Sequence, residues 1–317
     1  MSLPTLLDIA KRNGSDQLTG LVDETIKLHP ELQIIPARTI RGYMYKTRVR
    51  TAIPTTAGFR AINAGVAASV NTIEMRLVEA FPLEARWLAD KLQADSAEDG
   101  AAAYIAEEAQ GVMEGQWQGL AAQIYYGTGT GGNAAGFPGF INQYDSTNMV
   151  IDAGGTTDNV ASSVWFVRVG PQDAQLVVGN EGKIEITPPD VLSRPVLILD
   201  PNDSTKQLMA YVQDLTGRIG MQVLNKFSLC RIKKLTTDSG KGLTDSLIDQ
   251  AQAKFQGRGP DVCFMTKRSA QQLKSSRTAT TPTGVPAEWA TQLQGLDGRM
   301  IPIYVTDAIS NTETLAL

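Results

Sequence analysis

The spacing of apolar positions changes several times along the chain, and the longest regular stretch predicts a long helix. Between residues 96 and 126, apolar side chains recur in steps of three and four, at Ile105, Ala109, Val112, Met113, Trp117, Leu120 and Ile124. This spacing places them on one stripe of a helix of about thirty residues, roughly 45 Å long. Ser96 with Asp99 resembles a capping box at its start. A helix of this length needs an extended surface to lie on.

Residues 38–64 predict an extended hairpin. The stretch "RTIRGYMYKTRVRTAIPTTAGFRAIN" is rich in Thr, Val, Ile and Tyr, and Pro54 and Gly58 lie near its tip, which is typical of a strand, a turn and a strand. No acid occurs between Glu31 and Glu74, whereas this interval carries Arg38, Arg41, Lys46, Arg48, Arg50 and Arg60. Such a hairpin is marginal alone, so we expect it to lie on another surface.

The segment from Glu84 to Glu114 is acidic and offers that surface, in the same subunit or in a neighbouring one. The candidate contact residues are Arg41, Lys46, Arg48 and Arg50 on the hairpin and Glu98, Asp99, Glu107 and Glu108 on the acidic side. Two other interpretations remain open. The hairpin is a solvated cationic element, or it is a nucleic-acid arm in which Tyr43 and Tyr45 stack on bases.

The remaining segments predict a mixture of helices and strands. Residues 1–37 contain two short helices, each closed by a Gly or Pro stop signal. Residues 151–236 contain six short apolar runs separated by turn residues, which suggests a small antiparallel sheet or sandwich. Residues 237–300 alternate between helix and buried strand and so have α/β character, and residues 301–317 begin with a closing strand.

Composition and charge describe an ordinary soluble globular protein. The 317 residues are 42% hydrophobic and 20% charged, with a net charge of −4 and a pI of about 5.2. This mildly acidic balance argues against a protein whose main task is to neutralise nucleic-acid phosphates. The chain shows no signal-peptide pattern and no apolar run that could span a bilayer, so we expect a cytoplasmic protein without a membrane partner.

The sequence nominates no catalytic or metal-binding group. His29 is the single histidine, and Cys230 and Cys263 lie in apolar runs that read as buried strands, so we expect neither a metal site nor a disulfide. Glu107 and Glu108 are adjacent on the predicted helix and point apart, so they cannot share a proton. We therefore expect no enzyme and no cofactor.

A glycine-rich run, "GTGTGG", comes directly after the long helix. Gly127, Gly129 and Gly132 fit the dinucleotide spacing G-x-G-x-x-G, but that motif needs a strand before it and a helix after it. Here a helix leads in, and Pro138 and Gly139 prevent a long helix after the run. The run is interpreted as the stop of the long helix, at Gly127, and as a connector or pivot that reaches the Pro-Gly pair. A dinucleotide-binding enzyme remains the alternative from another class.

The order of these elements resembles the major capsid proteins of tailed bacteriophages with the Hong Kong 97 type of fold. A narrower resemblance, to the capsid proteins of epsilon-fifteen-like short-tailed phages, rests on "TLLDIAKRNGSDQLTGLVDE", "SSVWFVRVGPQ", "CRIKKL" and "IPIYVTDAISNTE". It implies an α+β fold with an N-terminal arm, an extended hairpin loop, a peripheral domain at residues 65–150 and an axial domain at residues 237–300. The long helix is then the spine of the peripheral domain.

The resemblance also implies a function and partners. The protein would self-assemble into hexamers and pentamers of an icosahedral shell in a bacterial cytoplasm, enclosing double-stranded DNA without sequence-specific binding. A portal is expected, together with a separate scaffolding protein or none, because only about 37 residues precede the hairpin. A cement protein is a further candidate. The alternatives are an encapsulin-like compartment and a phage adaptor or tail component.

Overall fold

The computed structural model describes residues 27–54, 58–65, 68–98, 100–186, 195–200, 205–280 and 285–316. The two helices predicted for residues 1–37 fall mostly on residues 1–26 and, like Asp99, lie outside the described residues. Pro30 precedes a short helix.

The chain forms helices and strands throughout the described residues. The helices are α1 (Glu31–Ile34), α2 (Lys91–Asp95), α3 (Gly100–Tyr126), α4 (Phe140–Gln143), α5 (Asp245–Ala253) and α6 (Lys267–Thr280). The strands are β1 (Ala37–Thr39), β2 (Met44–Ala52), β3 (Thr72–Glu79), β4 (Phe81–Asp90), β5 (Val150–Asp152), β6 (Ser162–Val167), β7 (Ala174–Val178), β8 (Glu185–Ile186), β9 (Val196–Leu199), β10 (Gln207–Val223), β11 (Leu229–Leu235), β12 (Val262–Met265), β13 (Gln292–Gln294) and β14 (Met300–Val305).

The predicted long helix is α3, which we call the spine helix. It has 27 residues and is about 40 Å long at 1.5 Å per residue. All the apolar residues of the predicted stripe are buried or half-buried, so that prediction is confirmed. The helix begins at Gly100 and not near Ser96, because Ser96 closes the separate helix α2, where its hydroxyl donates to the carbonyl of Leu92 at 2.6 Å.

Sheet 1 is built on the 17-residue strand β10. Its strand order is β1-β7-β10-β4, and β8 and β9 also pair with β10. β10 runs antiparallel to β4 along Ala210–Ile219 and antiparallel to β7 along Ile219–Val223. The spine helix covers this sheet, with Ala109 and Val112 packed on Trp87 and Leu215.

Sheet 2 has the strand order β13-β14-β12-β6-β11-β5. Its central strand β6 is buried along its whole length, because both faces of the sheet are covered. Val164 and Phe166 face a core that includes Ile248 of α5 and Leu273 of α6. Trp165 and Val167 face the opposite core, which contains the end of the spine helix. The predicted helices and strands of residues 237–300 are confirmed.

The expectation of one small sheet for residues 151–236 is wrong in its pairing. All six apolar runs form strands, as predicted, but β6 and β11 join sheet 2, whereas β7, β8, β9 and β10 join sheet 1. Alternation of apolar residues says which face of a strand is covered, and it does not say which strand lies beside it. Strands that follow one another in the sequence therefore belong to different sheets, one covered by the spine helix and the other by α5 and α6.

The first strand of the predicted hairpin is present as β2, but the predicted return strand before Asn63 is wrong, because the strand that pairs with β2 is β3. β2 and β3 pair antiparallel from Met44 opposite Glu79 to Ala52 opposite Thr72. The physical reason is composition, since "TIEMRLVE" is a longer run of strand-forming side chains, whereas between Gly58 and Asn63 only Phe59 and Ile62 favour a strand. The hairpin is therefore longer than predicted.

The two sheets meet at the last turn of the spine helix. Tyr125 is fully buried there, with ring centroids 5.6 Å from Phe140 and 6.1 Å from Phe264 of β12. Phe140 in turn lies 5.7 Å from Trp165 of β6. Ile219 and Met221 of β10 belong to the same core, which we call the junction core.

A pair of glycines in β10 tests how the root of the hairpin is held. A Cβ at Gly220 would lie 2.1 Å from the carbonyl oxygen of Glu79, at the end of β3, whereas a Cβ at Gly217 would meet only Ile184 at 3.4 Å or more. We expect Gly220→Ala to lower the free energy of unfolding by about 1–3 kcal/mol, because backbone must move. Gly217→Ala should be neutral or slightly stabilising. Equal effects in denaturant titrations would contradict the packing argument.

Candidate interaction surfaces

The outer face of the hairpin combines two rows of side chains. Residues directly opposite each other in an antiparallel pair share a face. The pairs on the outer face are Lys46 with Leu77, Arg48 with Met75 and Arg50 with Ile73. The aliphatic members are 48–61% exposed, and the cations are exposed as well. A cationic row beside an exposed apolar row is typical of a surface that a partner covers.

The inner face of the hairpin is anchored on sheet 1. Val78 of β3 is buried with Ile40 and Val177, and Tyr45 packs on the same cluster. The guanidinium of Arg76 donates to the carbonyl of Leu224. Inside the subunit, the described strands of the hairpin therefore pack on sheet 1, and among the described residues no ion pair joins them to the spine helix.

Arg41 differs from the other three predicted hairpin cations. It lies in the bend before β2, and its Nε is 3.4 Å from Oε1 of Glu181 in the same subunit. The Arg41 side chain is 94% exposed, and an ion pair so exposed contributes little to stability. Arg41 is therefore separate from the outer face that carries Lys46, Arg48 and Arg50.

Two of the predicted acidic residues, Glu107 and Glu108, lie in the N-terminal half of the spine helix. Glu107 and Glu108 are half-buried on the helix, and Glu98 is exposed just before it. From Glu107, steps of four residues lead along one row to Gly111, Gly115 and Gly119. All three glycines are exposed, and a Cβ at any of them would meet nothing within 4 Å. The helix thus presents a shallow groove, flanked by carboxylates, along which another chain could approach closely.

The glycine-rich loop after the spine helix is folded tightly on itself. Gly127 has a φ of +53°, and its N–H donates to the carbonyl of Gln123 at 2.9 Å, so it ends the helix as predicted. A Cβ at Gly127 would lie 2.1 Å from the nitrogen of Gly139, and one at Gly132 would lie 2.0 Å from the carbonyl oxygen of Gly127. The glycines therefore permit close packing of backbone on backbone. A role as a pivot stays a prediction.

Two side chains, Gln123 before the loop and Asn142 after it, form hydrogen bonds to the loop backbone. Oε1 of Gln123 accepts from the N–H of Asn133 at 2.7 Å, and its Nε2 donates to the carbonyl of Phe137 at 2.7 Å. Oδ1 of Asn142 accepts from the N–H groups of Thr128 and Gly139. These bonds fix the chain on either side of Gly129 and Pro138.

This geometry does not make a dinucleotide site. A helix delivers the chain into Gly127, and only the four-residue helix α4 comes after the loop. The strand before and the long helix after, which the phosphate-binding turn requires, are both missing at this loop. Within the described residues no cluster of His, Cys, Asp and Glu could hold a metal ion. Of the described helices, none combines the length and apolar character needed to cross a bilayer.

A buried ion pair fastens the C-terminal residues to sheet 2, and sequence reasoning missed it. Nη2 of Arg231 lies 3.1 Å from Oε2 of Glu313, and their side chains are only 1% and 3% exposed. The hydroxyl of Tyr126 donates to Oε1 of Glu313 at 2.7 Å and accepts from the N–H of Ser310 at 2.7 Å. Burial beside this carboxylate raises the pKa of Tyr126. The available signal was an arginine inside the apolar run "FSLCRIKKL", since a buried arginine requires an acid.

Comparisons with known proteins agree with this architecture. A protein-family model described as major capsid protein GP7 matches residues 33–316. The structure of bacteriophage Epsilon15 is similar, with a TM-score of 0.69 and 22% identity over 99% of this chain and 97% of that chain. A capsid of bacteriophage JBD30 decorated with minor capsid protein trimers gives 0.51 and 10%, over 98% of this chain and 100% of that chain. These similarities confirm the predicted Hong Kong 97 type of fold.

Two further comparisons carry no additional information about the fold or the function. The holo-SrpI encapsulin complex from Synechococcus elongatus PCC 7942 gives a TM-score of 0.48 and 8% identity, over 75% of this chain and 98% of that chain. No curated protein matches the chain.

The buried ion pair yields a test of how the C-terminal residues are held. Glu313→Ala leaves Arg231 charged and buried without its acid, so we expect the free energy of unfolding to fall by about 3–5 kcal/mol. The double variant Arg231→Met with Glu313→Leu removes both charges and should lose much less. Denaturant titration of the three proteins gives the comparison. A double variant as unstable as Glu313→Ala would show that the uncompensated charge is not the cause.

Proposed function

Because the chain belongs to the major capsid protein GP7 family, we propose that its subunits assemble through the hairpin into the hexamers and pentamers of an icosahedral phage shell. Proteins of this family are structural and not enzymatic, in agreement with the sequence analysis. The proposal adds to that role a contact between subunits, a closed architecture and a cargo of double-stranded DNA.

The observation that carries the proposal is the outer face of the hairpin. In the single subunit its aliphatic row, Ile73, Met75 and Leu77, is exposed beside the cationic row. Covering such a row removes apolar surface from water and is favourable. Since the inner face of the hairpin already packs on sheet 1, the outer face remains available for a second subunit.

We propose that the outer face covers the spine helix of a neighbouring subunit. The groove formed by Gly111, Gly115 and Gly119 leaves room for a close approach, and Glu107 and Glu108 supply charge opposite to that of the hairpin. Complementary charge contributes mainly to the rate and register of association. The contact joins two different surfaces, so repeated use of it generates a ring of subunits when its rotation closes, as the proposed hexamers and pentamers require.

The other partners are inferred from the same role. A shell protein with a net charge of −4 suits a container that encloses DNA without sequence-specific binding. We propose assembly in the cytoplasm of a bacterial host, with a portal and with any scaffolding or cement protein as separate chains. The principal alternative is an encapsulin-like compartment, which would enclose a protein cargo.

Charge reversal tests the hairpin contact. We expect Arg48→Glu with Arg50→Glu to abolish particles in negative-stain micrographs while leaving the subunit folded, because the outer face then repels the acidic helix. Adding Glu107→Arg with Glu108→Arg should restore assembly in part, since the charges are opposite again. The matched control, Lys183→Glu with Lys254→Glu, makes the same change of net charge at exposed positions elsewhere and should assemble normally.

The outcomes separate the possibilities. Normal particles from the hairpin double variant would refute the contact, and failure of the control would assign the loss to net charge alone. A loss of assembly that the helix charge reversal does not relieve would leave the hairpin necessary and place its partner elsewhere than Glu107 and Glu108.

Particle contents test the proposed cargo. We expect particles purified from an infected host to be closed polyhedral shells that protect long double-stranded DNA from nuclease. Extraction and electrophoresis of the contents measure this directly. Closed shells that hold a protein and no long DNA would favour the encapsulin-like alternative, and open rings or tubes would favour an adaptor or tail component.

A further inference from the structure

Glu31 is a fully buried carboxylic acid at the point where the N-terminal segment joins the body of the subunit. Its side chain is 0% exposed. It lies between the hydroxyl of Tyr125, 3.4 Å from Oε2, and the hydroxyl of Thr306, 3.2 Å from Oε1. Backbone bonds reinforce the contact, since the N–H of Asp307 donates to the carbonyl of Leu28 at 2.8 Å. Residues 27–35 are thus docked on the spine helix and on the segment after β14.

The surroundings of Glu31 contrast with those of the other buried carboxyl group. Tyr125 and Tyr126 are adjacent in the spine helix, and each bonds one buried acid, Glu31 and Glu313 respectively. The negative charge of Glu313 is balanced by the positive charge of Arg231, with which it forms an ion pair. Within the described part of the chain, no Lys, Arg or His forms an ion pair with Glu31. A buried carboxylate without a cation is strongly disfavoured, so this geometry favours the neutral acid.

A count of hydrogen atoms supports the neutral form. Thr306 has one hydroxyl hydrogen but two acceptors within reach, Oε1 of Glu31 at 3.2 Å and the carbonyl of Leu28 at 3.3 Å. If Glu31 is protonated, its own O–H donates to the Thr306 oxygen, and the Thr306 hydrogen goes to Leu28. Every contact then has a hydrogen. If Glu31 is ionised, one of the two contacts has none.

The carboxylate of Asp307 acts on Glu31 in the same direction as burial, whereas the hydrogen bonds from Tyr125 and Thr306 favour the ionised form. Asp307, in the segment after β14, faces Glu31, and its Oδ2 accepts a hydrogen bond from Nζ of Lys267 at 2.9 Å. From the spine helix it meets only the neutral hydroxyl of Tyr125. Burial, with a smaller contribution from Asp307, raises the pKa of Glu31 to about 7. On the other side of the segment, His29 lies 3.5 Å from Glu114 and forms a separate pair.

We propose that Glu31 is a proton-dependent latch, which holds residues 27–35 on the end of the spine helix while its carboxyl group is protonated and weakens their hold when it ionises. The latch acts on the first described segment of the chain, residues 27–35. It is a property of the single subunit and does not depend on the proposed hairpin contact, so either proposal can fail alone.

The sign of the pH dependence is set by proton binding. The docked state binds the proton with a pKa of about 7, and an opened, hydrated Glu31 has the ordinary value of 4.5. Docking is therefore strongest below pH 4.5, weakens as the pH rises towards 7 and is constant above. The opening equilibrium constant should rise about tenfold per pH unit in this window, which gives about twentyfold between pH 5.5 and 7.5.

Hydrogen exchange of the full chain measures this opening directly. Peptides covering residues 27–35 are followed by mass spectrometry at pH 5.5, 6.5 and 7.5, and each rate is corrected for the intrinsic pH dependence of amide exchange. We expect the corrected opening to increase about twentyfold across the series in the wild type. In Glu31→Gln, which keeps the shape and cannot ionise, the corrected opening should be flat. The control His29→Gln should keep the full dependence.

A second variant keeps the test decisive if Glu31→Gln does not fold. Tyr125→Phe retains the packed ring and removes a hydroxyl that favours ionised Glu31, so the midpoint of the pH dependence should move to higher pH. A purely structural role of Tyr125 would change protection equally at every pH. The proposal is overturned if wild-type protection is independent of pH, if the dependence persists in Glu31→Gln, or if it vanishes in His29→Gln.

Discussion

The last turn of the spine helix is the constraint on which the rest of the subunit depends. Tyr125 packs into the junction core between the two sheets, and Gly127 turns the chain back on itself directly afterwards. The hydroxyl groups of Tyr125 and Tyr126 bond buried acids from opposite ends of the described chain. One acid is neutralised by an arginine and the other by its own proton. The same helical turn therefore orders both sheets and fastens both ends.

Local patterns in the sequence predicted the elements well because their physical cause is local. The apolar stripe of the spine helix, the six strands of residues 151–236 and the stop at Gly127 all depend on side-chain spacing and backbone preference within a few residues. The cationic row of the hairpin could also be predicted, because Lys46, Arg48 and Arg50 occupy every second position of one strand and so share a face. These features needed no knowledge of distant neighbours.

Pairings between distant segments could not be predicted. The aliphatic row beside the hairpin cations was missed because the return strand was expected before Asn63, so the side chains of β3 were not placed opposite β2. The ion pair of Arg231 with Glu313 joins residues 82 positions apart. Likewise, no local pattern around Glu31 marks it as buried, and only the packed structure shows that it is. Burial of a charged side chain depends on the segments that fold over it.

The length of the spine helix gives the junction core a mechanical consequence. The helix is a rod of about 40 Å whose C-terminal turn is embedded between the two sheets, while the rest of its length packs mainly on sheet 1 and on α2. A tilt of about 5° at the embedded end displaces the far end by about 3.5 Å over that length, roughly the diameter of an atom. In the proposed shell, a small repacking of the aromatic rings around Tyr125 would therefore change the angle at which neighbouring subunits meet.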